Sequence, residues 1–328
     1  MSALTTGAAT YDHRSGPKRR LLRRRRAGNR ALWVACAVAL ALVVVPVVWI
    51  LEGVTSKALS HWHFSVLTQT SASPDFGVAN ALVGTFLIML GVLVLAGIVG
   101  VGGGIYLAEF TSERSGSLLR GGSEVLAGVP SIVIGYVGYL TLVVALHWGF
   151  SLGAALIVLS VMVVPYVMKS TEVSLRQVPT NYREGAEALG MRSGYTLRKL
   201  VLVPALPGIV TGLIVALAIA LGETAPLLYT AGFTNRFPSL ALTHTQVPYL
   251  PYLVWTFFYY PNAKAQQMAH LAALLLIALV VVLIVIARVL VSMTQRNAPD
   301  KPERLGRRTS GNGKLRTISS TPAVGPRR

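Results

Sequence analysis

The side chains best suited to chemistry are a few polar residues inside long apolar segments. Glu223 is a carboxylate within an apolar run, where a charge is costly and is therefore a candidate functional group. The hydroxyl groups of Ser131, Thr211 and Thr224 lie in comparable segments and could donate hydrogen bonds to an anion, although such hydroxyls more often bond to their own helix backbone. A membrane-embedded enzyme needs a nucleophile–base pair, paired aspartates or a metal cluster, and Glu223 has no such companion in the sequence.

Other kinds of active site are missing from the sequence. The single cysteine, Cys36, lies in an apolar run, so the chain has neither an internal disulfide nor a Cys/His metal-binding pattern. The glycine clusters Gly102–Gly104 and Gly121–Gly122 lack the Lys-Ser/Thr pair of a nucleotide-binding phosphate loop. We therefore expect no catalytic residue, no metal and no cofactor on this chain.

The segments that carry these residues are predicted membrane spans. The sequence is 53% hydrophobic and only 13% charged, whereas soluble domains carry about 25% charged residues. Its apolar runs approach or exceed the roughly 20 residues that a transmembrane helix needs. Because three consecutive glycines have low helix propensity, Gly102–Gly104 predict a break or tight bend in the second span. The pattern predicts an all-α integral membrane protein with six transmembrane helices, at residues 31–51, 78–108, 125–146, 152–168, 208–233 and 268–291.

The distribution of basic residues predicts the orientation of these spans. If the N-terminus is cytoplasmic, 27 of the 30 Lys and Arg residues fall in cytoplasmic segments and 3 fall outside. Positive residues favour the cytoplasmic side, so both termini are predicted to be cytoplasmic. The cytoplasmic segments are 1–30, 109–124, 169–207 and 288–328, and the outside cations are Lys57, Arg236 and Lys264.

Much of the basic charge lies in two tails, residues 1–30 and 296–328, which we predict to be disordered. The formal net charge of +18 makes nucleic-acid binding an alternative. Because the tails flank membrane spans and no nucleic-acid-binding module accompanies them, we attribute the charge to orientation and to attraction by anionic membrane lipids. We interpret the acidic residues Glu109, Glu113 and Glu124 as a solvated face.

The loop between the fourth and fifth spans, residues 170–207, predicts two short helices joined at a glycine. Asn181 followed by Glu184 has the spacing of a capping box at a helix start. Gly190 fits the position just after a helix end, and Ser193 can cap the second helix. Physical properties leave two alternatives open, an amphipathic helix on the membrane face or a rigid contact for another protein. Small residues would allow such a protein to approach the backbone closely, namely Gly185, Ala186 and Ala188.

This loop resembles the EAA loop of ABC-importer permeases. In that pattern a Glu-Ala-Ala unit is followed by three residues and a glycine, and later by Leu-Pro. Here the unit is Glu184-Gly185-Ala186 with Gly190 in place, so one alanine is replaced. The proline follows one position late, in Val203-Pro204, while Pro207-Gly208 is in register.

Three further segments resemble phosphate ABC-transporter permeases of the PstA type, in the right order. They are Gly104–Phe110 (GIYLAEF), Gly128–Gly135 (GVPSIVIG) and Gly222–Leu228 (GETAPLL). The resemblance covers roughly residues 31–295 and implies a type I ABC-importer permease (MetI-like) fold for that segment, in a bacterial-type cell membrane.

The resemblance also implies a function and a set of partners. The chain would be a permease subunit of an ATP-driven importer of inorganic phosphate. Its partners would be a second, homologous permease in a heterodimer, a homodimeric ATPase that binds the ATP, and an extracytoplasmic phosphate-binding protein. The ATPase would contact the helix in the loop through Tyr182, Arg183, Glu184, Gly185, Ala186, Glu187, Ala188 and Gly190.

One departure from this family bears on the substrate. Many phosphate permeases of this type carry an arginine shortly before the GETAP sequence, whereas Ala216–Leu221 contains no cation. An anion path would then depend on the partner's charges or on backbone N–H groups at broken helix ends. Glu223 would repel phosphate, so a structural or gating role and a role in the path both stay open. The alternatives for the chain are a permease for another oxyanion, such as sulfate or molybdate, and a regulatory membrane subunit.

Overall fold

A computed structural model describes residues 16–60, 62–73 and 77–296, and these residues form helices without any strand. Short 3₁₀ or π-helical turns lie at Phe64–Leu67, Tyr139–Ala145 and Leu197–Val201. The α-helices are α1 Gly16–Leu59, α2 Ala79–Glu109, α3 Glu113–Gly128, α4 Ser131–Gly138, α5 Leu152–Arg176, α6 Asn181–Ala188, α7 Ser193–Thr196, α8 Leu202–Gly222, α9 Ala225–Thr230, α10 Leu250–Phe258 and α11 Ala263–Arg296.

Five helical stretches are long and apolar enough to cross a membrane. They are Gly28–Leu59, Ala79–Glu109, Leu152–Arg176, Ser193–Gly222 and Ala263–Met293. A sixth crossing is formed if the bent pair Glu113–Gly128 and Ser131–Ala145 counts as one span. The all-α membrane fold with up to six spans is therefore confirmed, although the third span differs from the straight helix predicted at 125–146.

The third span is broken at Val129-Pro130, where the two halves meet at 94°. Val129 is extended, with φ −70° and ψ 131°, because the ring of a following proline disfavours the helical conformation. Only the part after Pro130 continues along the predicted span. Helix α3 instead lies at one end of the bundle, bent away from α4 by 94°. Helix α6 lies at the same end, and we call it the α6 end of the bundle.

The predicted tails are only partly described. Helix α1 begins at Gly16, so residues 16–30 are helical, and the prediction that they are disordered is wrong. The apolar run that follows extends the same helix without a terminator between them. The remaining tail residues, 1–15 and 297–328, lie outside the described residues.

Helix α5 forms the centre of the bundle. Its residues Leu159, Val163 and Val167 are buried, and they pack with Val92 of α2 and Leu217 of α8 in one apolar cluster. By contrast, α1 exposes most of its apolar side chains, including Trp33 and Trp49, and it packs beside α11. An apolar helix with this exposure faces lipid.

The predicted break at Gly102–Gly104 is wrong, because α2 runs through these residues as a continuous helix. Gly104 lies so close to α5 that an added Cβ would stand 2.5 Å from the Cβ of Thr171. Gly100, one turn earlier, has the same relation to Val167 at 2.6 Å. This is the close backbone approach that small residues four positions apart permit between membrane helices. Tertiary packing therefore overrides the low helix propensity of glycine.

Candidate functional site

Helix α6, Asn181–Ala188, is ended by the glycine that the sequence singled out. Gly190 has φ +66°, which glycine adopts without steric strain. Its N–H donates to the carbonyl of Glu187 at 2.9 Å, and the N–H of Met191 donates to the carbonyl of Ala186 at 3.0 Å. This pair of bonds is a Schellman motif, so the predicted helix end is confirmed.

The two loop helices begin at the residues that the sequence selected, Asn181 and Ser193, but the N-cap of each lies one residue before the predicted one. The N-cap of α6 is Thr180, whose carbonyl accepts from the N–H of Glu184 at 3.0 Å, and no side chain caps the helix. The predicted capping box between Asn181 and Glu184 is therefore not formed. Arg192, and not Ser193, occupies the N-cap position of α7.

One face of the α6 loop is open to solvent in this chain. Gly185 and Gly190 have no described atom within 4 Å of an added Cβ. The same loop exposes two large apolar side chains, Leu189 at 75% and Tyr195 at 56%. Exposed apolar groups of this size favour a contact with another molecule. The exposed predicted site residues are Tyr182, Glu184, Gly185, Glu187, Ala188 and Gly190.

Two predicted contact residues face the protein's own interior instead. Ala186 is only 2% exposed, so it cannot offer its small surface to a partner. The guanidinium of Arg183 binds the carboxylate of Glu109, with Nη2 2.6 Å from Oε1. It also donates to the backbone carbonyls of Leu175 at 3.2 Å and Val178 at 3.1 Å. The interpretation of Glu109 as a solvated residue is therefore wrong.

A second charged cluster was missed by the sequence reasoning. Glu172 of α5 is 3% exposed, and its Oε1 lies 3.0 Å from Arg120 of α3 and 2.9 Å from Arg176 of α5. The cluster ties α3 to α5 at the α6 end. The spacing of Glu172 and Arg176 by four residues is visible in the sequence as a helical pair, but the predicted fourth span ended at residue 168. Glu124 forms an exposed pair with Lys169 at 3.5 Å.

The predicted fifth span, 208–233, is interrupted at Glu223 and Thr224, two polar residues that the sequence analysis selected. Helix α8 ends at Gly222, Glu223 is extended with φ −79° and ψ 121°, and α9 begins at Ala225. Pro226 stands in the first turn of α9, where its missing N–H is harmless. The predicted continuous span at 208–233 is wrong at this point.

The helices that follow the breaks at Val129-Pro130 and Glu223-Thr224, α4 and α9, pack against each other, and we call these two the paired breaks. Gly135 of α4 lies against Pro226 of α9, so an added Cβ would stand 2.6 Å from the Cα of the proline. Beside them, the rings of Tyr136 and Tyr229 meet edge to face at 5.9 Å. The segments Gly128–Gly135 and Gly222–Leu228, which resemble one family separately, thus form one contact.

The polar residues predicted for a path do not form one cluster. The carboxylate of Glu223 is half-buried and has no hydrogen bond or ion pair with any described residue. The hydroxyl of Thr211 donates to the carbonyl of Pro207 at 2.7 Å, which satisfies it within its own helix. Thr211 also lies three turns of α8 from Gly222, or about 16 Å at the rise of an α-helix. Ser131 is the first residue of α4 and Thr224 is the N-cap of α9, so both lie next to the paired breaks.

Comparison with known proteins was made on the whole chain. The family model described as "Binding-protein-dependent transport system inner membrane component" matches residues 100–299. A Mycobacterium bovis protein named phosphate transport system permease protein PstA 2 is 50% identical over 291 residues, covering 89% of this chain and 97% of that protein. The Yersinia pestis protein named phosphate transport system permease protein PstA is 33% identical over 270 residues, covering 81% of this chain and 90% of that protein.

Among solved structures, the fold matches a chain of the MetNI methionine ABC transporter in inward-facing conformations. The TM-score is 0.50 with 19% sequence identity, and the match covers 70% of this chain and 97% of that chain. At this identity the match supports the helical arrangement, but not a shared substrate.

Proposed function

The chain belongs to the family of binding-protein-dependent transport system inner membrane components, and from this premise we propose that it is a permease subunit of an ATP-driven importer of inorganic phosphate. The observation that carries the substrate is the 50% identity, over 97% of the relative's length, to a protein named as a phosphate permease. The segment Gly222–Leu228, which forms the break in the fifth span, agrees with it. The chain is a transport subunit and not an enzyme.

The α6 end faces the cytoplasm in this proposal. Lys57 lies in the last turn of α1, Lys264 in the first turn of α11, and Arg236 in the loop after α9. The order of the helices places all three at the end opposite to α6. The basic residues therefore segregate as the positive-inside rule requires. Both termini are then cytoplasmic, and the basic segments lie near anionic lipid headgroups.

The exposed face of α6 is the contact for the ATPase. Members of this family work with an ATPase and a binding protein on separate chains, so the chain itself needs no bound nucleotide or other cofactor. Gly185, Gly190 and Leu189 offer a surface on which a groove of the ATPase could close tightly. The partners would be a homodimeric ATPase, a second homologous permease forming a heterodimer, and an extracytoplasmic phosphate-binding protein; nucleic acid is not a partner.

The paired breaks at Val129-Pro130 and Glu223-Thr224 are the part of this chain that serves the path. Backbone groups freed at such breaks can be satisfied only by protein or by water in a cavity. No Lys or Arg lies in α8 or α9, so cations of the second permease or backbone N–H groups would hold the anion. Transport by alternating access follows if ATP binds one conformation of the complex more tightly than the other.

Uptake by the assembled complex tests the substrate. The full chain would be purified with its partner permease and ATPase, reconstituted in lipid vesicles, and supplied with its binding protein. We expect ATP-dependent uptake of radiolabelled phosphate and none of radiolabelled sulfate or molybdate. Uptake of sulfate or molybdate alone would assign the chain to another oxyanion. ATP hydrolysis without uptake of any of the three would favour a regulatory subunit.

A further inference from the structure

We propose that Arg183 is a positioning residue that fixes the ATPase-contacting helix α6 to the ends of α2 and α5, so that α6 and these two spans move together. The proposal rests on the proposed function, because it concerns how movement of an ATPase reaches the spans. It also gives a role to Glu109 and to the segment Gly104–Phe110, which the contact with the ATPase leaves unexplained.

The geometry joins three helices through one side chain. Nη2 of Arg183 lies 2.6 Å from Oε1 of Glu109, and Nε lies 3.4 Å from Oε2. Glu109 is the last residue of α2. Nη1 and Nη2 also donate to the carbonyls of Val178 and Leu175, at the end of α5. A planar guanidinium can make these bonds at once because its donors point in fixed, diverging directions.

The electrostatics of the site favour a cation at this position. The C-terminal ends of α2 and α5 carry partial negative charge from carbonyls without helical partners, and the Glu109 carboxylate adds a full negative charge. Arg183 is 27% exposed and Glu109 is 18% exposed, so water competes only partly for these bonds. Lysine at position 183 would keep the positive charge but could not make the two-point contact.

Two further features hold α6 in place. The Schellman motif at Gly190 fixes one end of the helix, and the burial of Ala186 fixes its inner face. Helix α5 packs against α2, α4, α8 and α9. A displacement of α6 therefore reaches the end of α5 through Arg183, and α5 contacts α4 and α9, the helices that follow the paired breaks.

The test compares variants that break the contact with matched controls nearby. Arg183→Lys and Glu109→Gln remove the two-point pair with small changes in size. The controls are Arg114→Lys and Glu113→Gln, which lie at the exposed start of α3 and form no ion pair with a described residue. Each variant would be reconstituted in the full complex, and uptake of radiolabelled phosphate and ATP hydrolysis would be measured in the same vesicles.

We expect both contact variants to retain the ATPase in pull-down and to hydrolyse ATP, while the number of anions taken up per ATP falls at least about fivefold. We expect the two control variants to take up as many anions per ATP as the unchanged protein.

An unchanged uptake ratio in both contact variants would overturn the proposal and leave phosphate import intact. Failure of both variants to assemble would also overturn it, since the pair would then be a folding contact alone. If the unchanged complex takes up sulfate instead of phosphate, the proposed substrate fails, and the ratio for sulfate still tests Arg183.

Discussion

The acidic residues at the α6 end differ in burial, and this difference decides what each contributes to stability. The side chain of Glu172 is 4% exposed and pairs with Arg120 and Arg176, whereas that of Glu124 is 70% exposed and lies 3.5 Å from Lys169. Solvent screens an exposed pair and leaves it with little net energy. A buried carboxylate is screened much less, so Glu172 interacts more strongly with its two arginine partners.

We predict that Glu172→Gln destabilises the protein by about 2 kcal/mol, the scale of hydrogen bonds to charged groups. The control Glu124→Gln should change stability by less than about 1 kcal/mol. Thermal unfolding of the purified complex in detergent would measure both. Equal shifts in Tm for the two variants would contradict the assignment of Glu172 as the residue that ties α3 to α5.

Which residues could be found from the sequence depends on how far apart their partners lie. Gly190 was identified because a helix end is a local pattern of a few residues. The partner of Arg183 is 74 positions away, and that of Glu172 in α3 is 52 positions away. No local pattern relates such residues, so their burial and pairing emerge only when the helices pack.

At the scale of helices, the three consecutive glycines of α2 have different roles although they are adjacent. An added Cβ at Gly104 would lie 2.5 Å from the Cβ of Thr171, while one at Gly102 would meet nothing within 4 Å. Gly102 therefore faces away from α5. At this position glycine differs from alanine only in its lower helix propensity. Gly102 and Gly104 therefore allow the effect of a close helix contact to be compared with that of helix propensity alone.

We predict opposite effects of alanine at these two positions. Gly104→Ala should lower the free energy of unfolding by about 1–3 kcal/mol, because α2 must move away from α5. Gly102→Ala should be neutral or raise it by up to about 1 kcal/mol through better helix propensity. Thermal unfolding of the two variants in the same detergent measures the difference. Destabilisation by Gly102→Ala as large as that by Gly104→Ala would argue against the close α2–α5 contact.

The positions of the helices could be predicted from the sequence where hydrophobicity alone defines a helix. The long apolar runs located α2, α5 and α11, because a membrane helix must be apolar along its length. Pro130 and Pro226 are visible signals of helix boundaries, yet the 94° bend between α3 and α4 was not predicted. Pro130 marks where the helix ends, but the direction of α4 after it goes together with its packing on α9, where Gly135 lies against Pro226.

At the scale of the whole molecule, the two regions to which we propose functions lie at different places in the bundle. The exposed face of α6 and the charged contacts of Arg183 and Glu172 share one end. The paired breaks lie at Val129-Pro130, within the bent third span, and at Glu223-Thr224, directly after α8, and α5 packs against helices from both regions. The proposed transport function requires this separation, because the ATPase would act from one side of the membrane on a path inside it.

The orientation of the molecule in the membrane is the prediction on which this arrangement depends. Leu189 beside α6 is 75% exposed, and Leu240 in the loop before α10 is 79% exposed, so cysteine at either position would be accessible to a reagent. In a Cys36→Ser background, which removes the single native cysteine, we expect an impermeant maleimide to label Leu240→Cys from outside right-side-out vesicles. Leu189→Cys should react only after the vesicles are opened. Labelling of Leu189→Cys from outside would invert the topology, and α6 could then no longer meet an ATPase in the cytoplasm.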